Sequence, residues 1–425
     1  MMGEIFRFEL RQQLKSPLFW MIALAFAAFA FAAASSDSIQ IGGGVGNVHR
    51  NAPYVVANLL TIFLVLSMFL ITVFVAGAAL RDFDTNTAEL FFSTPVRRSH
   101  YLGGRFAAGY VAAMLVMVAV ALGLMIGVLM PWVDPARVGP TSLHAYIYSF
   151  VVFVLPGLFF ISALLFLLAT LTRSLLMTYI GVIVFFVLWQ VGLITASNME
   201  HRSLGALLDP MGLGALDLVT RYWSAEDRNT RLPEISGILL ANRALWIAVS
   251  LAMIAATLAL FRPDREGVRL RRRRRGTGKA ADAAPPSSVA VKPLPAVTLG
   301  ADGSARWTQF RKLAWFDTRG VLGGVAFLVL LACGLVNLGF VLAFSNEVFG
   351  TKTYPVTHLM NDAMDGGYNF LLLIIVAFYA GELVWRERSG RIDAVTDAFP
   401  LPDWIPLLSK LTAMTTVIAA FLVAG

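Results

Sequence analysis

The amino-acid sequence predicts an all-α, polytopic helical membrane protein: a first half of six spans, then the start of a second, repeated half. Three observations predict it. The first is composition: 58% of the 425 residues are hydrophobic and 14% are charged, whereas a soluble domain carries about 25% charged residues. Mean hydropathy is +0.72. The second is a series of uninterrupted apolar runs near the roughly 20 residues that a helix needs to cross a bilayer. The short alternating segments of a membrane barrel are absent. The third is a repeat. A charged block, Arg81 to Arg105, separates two apolar runs, and its outline recurs 305 residues later in Arg386 to Lys410. Arg81 and Asp82 answer to Arg386 and Glu387, Leu90 to Val395, Pro95 to Pro400 and Arg105 to Lys410. Repeated loops between spans point to two halves with one job at one membrane face.

Residues 3–15 mix Ile5, Phe6, Phe8 and Leu10 with Glu4, Arg7, Glu9 and Arg11, the pattern of a short interfacial helix. Pro17 suits the start of the first span, about Leu18–Ala34. Ala32-Ala33-Ala34-Ser35 has the look of a signal cleavage site, but the run is longer than the ~7–15 residues of a signal core, and Glu4 and Glu9 sit in the leader. The reading taken is a retained span. Gly42-Gly43-Gly44 lies in a polar exterior loop and lacks the Gly-Lys-Ser/Thr ending of a phosphate-binding loop.

Further spans are expected at about Val55–Leu80, Phe106–Met130, Ile147–Leu171, Leu175–Ile194 and Ala244–Phe261. The stretch 195–242 has apolar pieces too short to cross, so interfacial or re-entrant helices are expected there. Residues 1–262 form the first half, and 263–306 read as a linker with five consecutive arginines, Arg271 to Arg275, and an Ala/Pro/Ser-rich tract. In a membrane chain such a run is a cytoplasmic tether near anionic lipid, worth about 1 kcal/mol per Arg, rather than a nucleic-acid patch. Residues 307–425 begin the second half. Trp307–Arg319 repeats the interfacial helix, Phe310-Arg311 echoing Phe6-Arg7. Spans follow at about Val321–Phe344, Phe370–Val384 and from Ile405 onward, nine in all, and the chain reads as a fragment that stops inside an apolar run. Arg and Lys crowd the leader, the Arg81–Arg105 loop, the Arg173 turn and the linker, which places the N-terminus in the cytoplasm.

No enzymatic motif is expected. His49, His100, His144, His201 and His358 form no His-Glu-x-x-His, no Gly-x-Ser-x-Gly elbow is present, and the single cysteine, Cys333, reads as packing. No metal or cofactor is expected on this chain. The scarcity of ionisable residues within spans argues against an ion-coupled carrier.

The charged loop carries the functional expectation. Arg81 and Asp82 pin a span end, since either would cost about 2.5–3.5 kcal/mol at mid-membrane. Ala88, Leu90, Phe91 and Phe92 suit one face of a short helix that Pro95 ends. Such a helix can dock in the cleft of a cytoplasmic motor and turn its closure into movement of the spans. The competing reading is that these charges only anchor span ends; the repeat favours coupling. The expected coupling residues are Arg81, Asp82, Glu89, Leu90, Phe91 and Pro95, with Arg386, Glu387, Val395 and Pro400, and those of the interfacial helices are Phe6, Arg7, Phe310 and Arg311.

An interfacial helix, a span, an exterior loop, a second span and then Ser93-Thr94-Pro95-Val96-Arg97-Arg98 resemble the type-2 ABC exporter permeases. Leu208-Asp209-Pro210-Met211-Gly212 and Asn51-Ala52-Pro53 resemble a large subgroup of them. The resemblance implies six spans per half, a coupling helix between spans two and three, a bacterial plasma (inner) membrane location, and a separate ATPase subunit that binds ATP and Mg. It also implies, as further partners, a second permease or a C-terminal zinc aminopeptidase domain, since the longest relatives fuse two permease halves to one. Two other readings stay open: a non-transporting membrane scaffold for a downstream peptidase, and an ion-coupled secondary transporter.

Overall fold

The computed structural model describes residues 1–36, 47–85, 87–196, 202–262, 303–345, 347–348, 351–352, 357–358, 361, 364–389, 392–398 and 402–425. The Gly42–Gly44 loop, the arginine-rich linker and Pro400 lie outside them. The fold is all-α, and eight helices are long and apolar enough to cross a membrane. The β-structure among the described residues is one two-residue antiparallel pair, β1 (Glu347–Val348) with β2 (Thr351–Lys352). The chain divides into two compact units, Met1–Val268 and Arg269–Gly425.

In the first unit, α1 (Met2–Lys15) ends at Ser16, where the extended backbone and Pro17 start α2 (Pro17–Ser35). The second span is α3 (Pro53–Asp84), followed by the short α4 (Ala88–Phe92) and the third span α5 (Arg98–Val128). The fourth span is broken into α6 (Leu143–Ser149), a π-helical turn Phe150–Val154 and α7 (Leu155–Thr172). Pro156 explains the break: it has no N–H to donate and would collide with the carbonyl four residues back in a regular helix. Arg173, with φ 49°, makes the left-handed turn into α8 (Leu175–Ala196).

The stretch expected to be re-entrant or interfacial holds three short helices, α9 (Arg202–Leu208), α10 (Leu213–Thr220) and α11 (Ala225–Thr230). The sixth span, α12 (Gly237–Leu260), starts seven residues before the expected Ala244. Its first turns include Asn242 and Arg243, which are buried, so side-chain hydrogen bonds to protein let the helix begin on polar residues. The expected near-absence of ionisable residues inside the spans is corrected here and at Arg105 of α5, 1% exposed.

The helices pack around α3, whose Phe63, Leu64, Met68, Ile71 and Val75 are fully or almost fully buried. Helices α2 and α5 approach closely because Gly123 and Gly127 lie one turn apart on α5. A Cβ at Gly127 would come within 2.6 Å of the Phe31 carbonyl oxygen. Two small residues four apart let helix backbones meet in a membrane protein, where dispersion rather than water exclusion drives association.

The second unit has α13 (Gly303–Leu322), which begins slightly before the expected Trp307, then α14 (Val325–Ser345) after Gly323-Gly324. A π turn at Met364–Asn369 leads into α15 (Phe370–Ser389). Short α16 (Asp393–Thr396) and α17 (Trp404–Ala424) follow. Nine spans were expected. α15, the expected eighth, is not among the eight apolar helices, because Glu382, Arg386, Glu387 and Arg388 occupy its last turns.

Candidate functional site

At one end of the first unit, α1, α4, the Arg173 turn and the end of α12 come together. A five-residue helix closes too few backbone hydrogen bonds to persist alone, so α4 depends on its aromatic side chains. Phe92 packs on Tyr101 at 5.1 Å between ring centroids and on Phe261 at 5.7 Å, and Phe91 packs on Tyr101 at 5.7 Å. The Arg173 guanidinium lies 4.0 Å from the Phe83 ring centroid. The loop is closed on both sides by its own backbone: Thr87 N–H donates to the Asp82 carbonyl at 2.9 Å, and Ser93 N–H to that of Glu89 at 3.0 Å.

Behind α4 lies a buried ionic cluster. Arg105 of α5 donates to Asp82 Oδ2 of α3 at 2.5 Å and also bonds Glu9 Oε2 of α1. Tyr101, one turn before Arg105 on the same face, donates to Asp82 Oδ2 at 2.7 Å. Arg81 stands 2.9 Å from Glu9 Oε1. Gln13, one turn after Glu9, donates both to Glu9 Oε1 at 3.0 Å and to the Phe74 carbonyl at 3.1 Å. Two carboxylates and two guanidiniums balance. Glu9 is 0% exposed, Asp82 5% and Arg105 1%. Desolvating such charges is repaid only when each has its partners, so the cluster specifies one arrangement of α1, α3 and α5.

Of the residues expected to face a partner, Glu89, Leu90 and Pro95 are exposed, and Arg81 and Phe91 are partly so. Asp82 is the correction: its carboxylate turns inward, because Arg105 and Tyr101 offer donors there. In the leading helix Arg7 is exposed and Phe6 is half-buried. Glu9 was not anticipated; the signal for it was a Glu and a Gln four apart on an inner stripe that is otherwise apolar. Beside α4 opens a concavity of about 590 Å³, lined by Phe8 and Gln12 of α1, Arg81 and Thr85 at the end of α3, and Leu90 and Thr94 of the loop.

The second unit repeats the wiring. Arg386 donates to Asp317 Oδ1 of α13 at 3.3 Å, and Lys410 of α17 lies 3.3 Å from Glu387. Ser409 donates to Asp317 Oδ2 at 3.4 Å. The base before the loop meets the acid of the leading helix, and the acid beside it meets the base after the loop, as in the first unit. With Phe6-Arg7 set on Phe310-Arg311, Asp317 falls opposite Gln13, one turn along the same face from Glu9. Phe310 is buried against Ala314 and Ile405, and Arg311 is exposed. Val395 lies in α16. Burial outweighs the nearby Arg386 and Lys410 and raises the Asp317 carboxyl above the usual carboxylate range.

Spans packed around α3, with a braced helix hung between the second and third, define a multi-pass helical membrane protein. Residues 4–261 match the family model described as ABC-2 family transporter protein, and the chain belongs to that family. It is therefore a membrane-embedded subunit of an ABC transporter. A comparison with curated proteins returned no match.

Proposed function

We propose that this chain is an exporter permease worked by a separate ATPase subunit that binds ATP and Mg and docks on α4. The observation that carries the proposal is the pairing of an exposed Leu90, 72% accessible, and Glu89 with a rigid ionic brace directly behind them. A push on α4 reaches α3 and α5 through Phe92, Tyr101 and Asp82, because a closed ionic cluster moves as a body rather than yielding. The open concavity beside Leu90 has mostly apolar walls, with Phe8 and Phe91 among them. It suits one apolar side chain of the ATPase surface. Exposed Arg7, Arg11, Lys15 and Arg97 around it outnumber Glu4, Asp84 and Glu89, so the surrounding ATPase surface carries carboxylates. By analogy of wiring, the Arg386–Lys410 loop is the second docking point. The N-terminus and the Arg81–Arg105 loop lie on the cytoplasmic side of a bacterial inner membrane.

Co-purification with the ATPase encoded alongside tests the reading. Leu90→Asp with Glu89→Lys is expected to abolish complex formation and ATPase stimulation while leaving the permease folded. Unchanged binding and stimulation in that variant would overturn the docking assignment.

A further inference from the structure

The two charged loops share an outline but differ in what stands behind them. In the register 305 residues apart, Phe91 and Phe92 answer to Thr396 and Asp397, Phe83 to Arg388 and Tyr101 to Pro406. In the first unit these four aromatic residues form one packed group. Phe83 and Phe92 stack at 6.4 Å between ring centroids, and Phe91 and Phe92 both pack on Tyr101. Tyr101 also donates to Asp82 Oδ2 at 2.7 Å, so one ring joins the apolar mounting of α4 to the ionic cluster. None of the four counterparts in the second unit is aromatic, and Pro406 has no hydroxyl to offer Glu387. The four-residue α16 closes even fewer backbone hydrogen bonds than α4, so it yields where α4 is held by its rings.

The ionic wiring differs in the same direction. The planar fork of Arg105 binds two acids on two helices, Glu9 of α1 and Asp82 of α3, and is closed off from water. Its counterpart Lys410 is a single point charge. It lies 3.3 Å from Glu387, and the two side chains are 18% and 33% exposed. Arg386, 34% exposed, faces Asp317 at 3.3 Å, and Ser409 adds one bond to Asp317 at 3.4 Å. Ion pairs that water reaches contribute little, whereas breaking a fully buried pair strands a charge. The first cluster therefore ties α1, α3 and α5 into one body. The second joins α13, α15 and α17 through separate, longer contacts.

The outward charges differ too. Residues 88–98 carry Glu89, Arg97 and Arg98, and the matching 393–403 carry Asp393, Asp397 and Asp403. Asp397 and Asp403 are exposed. An ATPase surface that bears carboxylates suits the first loop and meets like charge at the second. We propose that the two loops are unequal: the Arg81–Arg105 loop transmits the force of ATP hydrolysis, and the Arg386–Lys410 loop is a weaker, compliant dock. Phe92 is the positioning residue that sets the difference, because it fixes α4 to Tyr101 and through it to Asp82. The inference rests on the docking of an ATPase at α4 and adds which of the two contacts drives the spans. Movement passes through a contact only as far as its mounting does not absorb it.

The experiment titrates the purified ATPase encoded alongside against the full chain in lipid nanodiscs at saturating ATP. The ATPase concentration that gives half-maximal stimulation reads docking, and the maximal stimulation reads transmission. Phe92→Ala is expected to keep the first within about threefold and to lower the second by about tenfold or more. Glu387→Gln with Lys410→Met removes the ion pair of the second unit without stranding a charge, and is expected to lower the maximum by about twofold at most. Should Phe92→Ala fail to elute as a folded species, Tyr101→Phe, which removes only the hydrogen bond to Asp82, is expected to lower the maximum several-fold. Equal losses of maximal stimulation from the variants of the two units overturn the inequality. So does a loss in Phe92→Ala that shows only as weaker docking. Leu90→Asp with Glu89→Lys separates the two proposals. Unchanged stimulation in that variant overturns the docking reading and this inference with it. Lost stimulation there, with equal losses from the two units, overturns the inequality alone.

Discussion

Glu9 and Arg105, 96 residues apart in sequence, form an ion pair in which neither side chain is more than 1% exposed. It fastens the leading helix to the third span, so α1 is tied to the end of the first unit that carries α4.

Glu9→Ala leaves Arg105 and Arg81 facing an empty position. Removing one partner of a buried pair costs about 3–5 kcal/mol, so thermal unfolding followed by tryptophan fluorescence should show a large drop in Tm or loss of expression. Combining Glu9→Ala with Arg105→Met is expected to recover part of that loss, since no charge is then stranded. A double variant as unstable as the sum of the two single ones would show that the pair does not act as a unit.

Leu90→Ala is expected to leave folding stability within about 0.5 kcal/mol of the parent, because an exposed side chain adds little to folding. Binding to the ATPase should weaken by about tenfold or more if Leu90 fills an apolar socket. Surface-immobilised permease and purified ATPase would measure it, and an unchanged Kd would exclude Leu90 from the contact.

Gly123→Leu is expected to be among the most damaging substitutions in the first unit. The Ala27 backbone sits where the new side chain would start, so α2 and α5 must separate and lose their close packing. Gly77→Ala, with open space at the corresponding point, is the control and should be mild. Monodispersity after detergent extraction reads both.

Asp317 gives a pH dependence in the second unit. Its carboxyl is raised by burial, so the stabilising contribution of the neutral form is present below the ordinary carboxylate range and lost as pH rises through the raised value. Asp317→Asn mimics the neutral form. The Tm of the variant should match the parent at low pH and exceed it increasingly as pH rises through that value. A gap independent of pH would refute the assignment.

Much of the architecture was legible in the residues. The span expectations at Leu18–Ala34, Val55–Leu80 and Leu175–Ile194 agree with α2, α3 and α8 to within a few residues, because apolar length is a local property. The helix at Ala88–Phe92 was legible from its apolar face and from Pro95. The early start of α12 was not, since Asn242 and Arg243 read as loop residues until their carbonyl partners in α9–α10 are known. The inward turn of Asp82 was equally hidden.

By itself the sequence determined that this chain crosses the membrane many times, where most crossings begin and end, and that a charged loop recurs. Hydrophobic length and charge clustering act over one helix at a time, which is why they can be read in order along the chain. Only the tertiary structure decided that Glu9 and Asp82 face inward to Arg105, and that Arg243 reaches back to Pro210 and Met211. Those pairings depend on how each helix is rotated and how deep it sits against its neighbours, and close packing of side chains sets both.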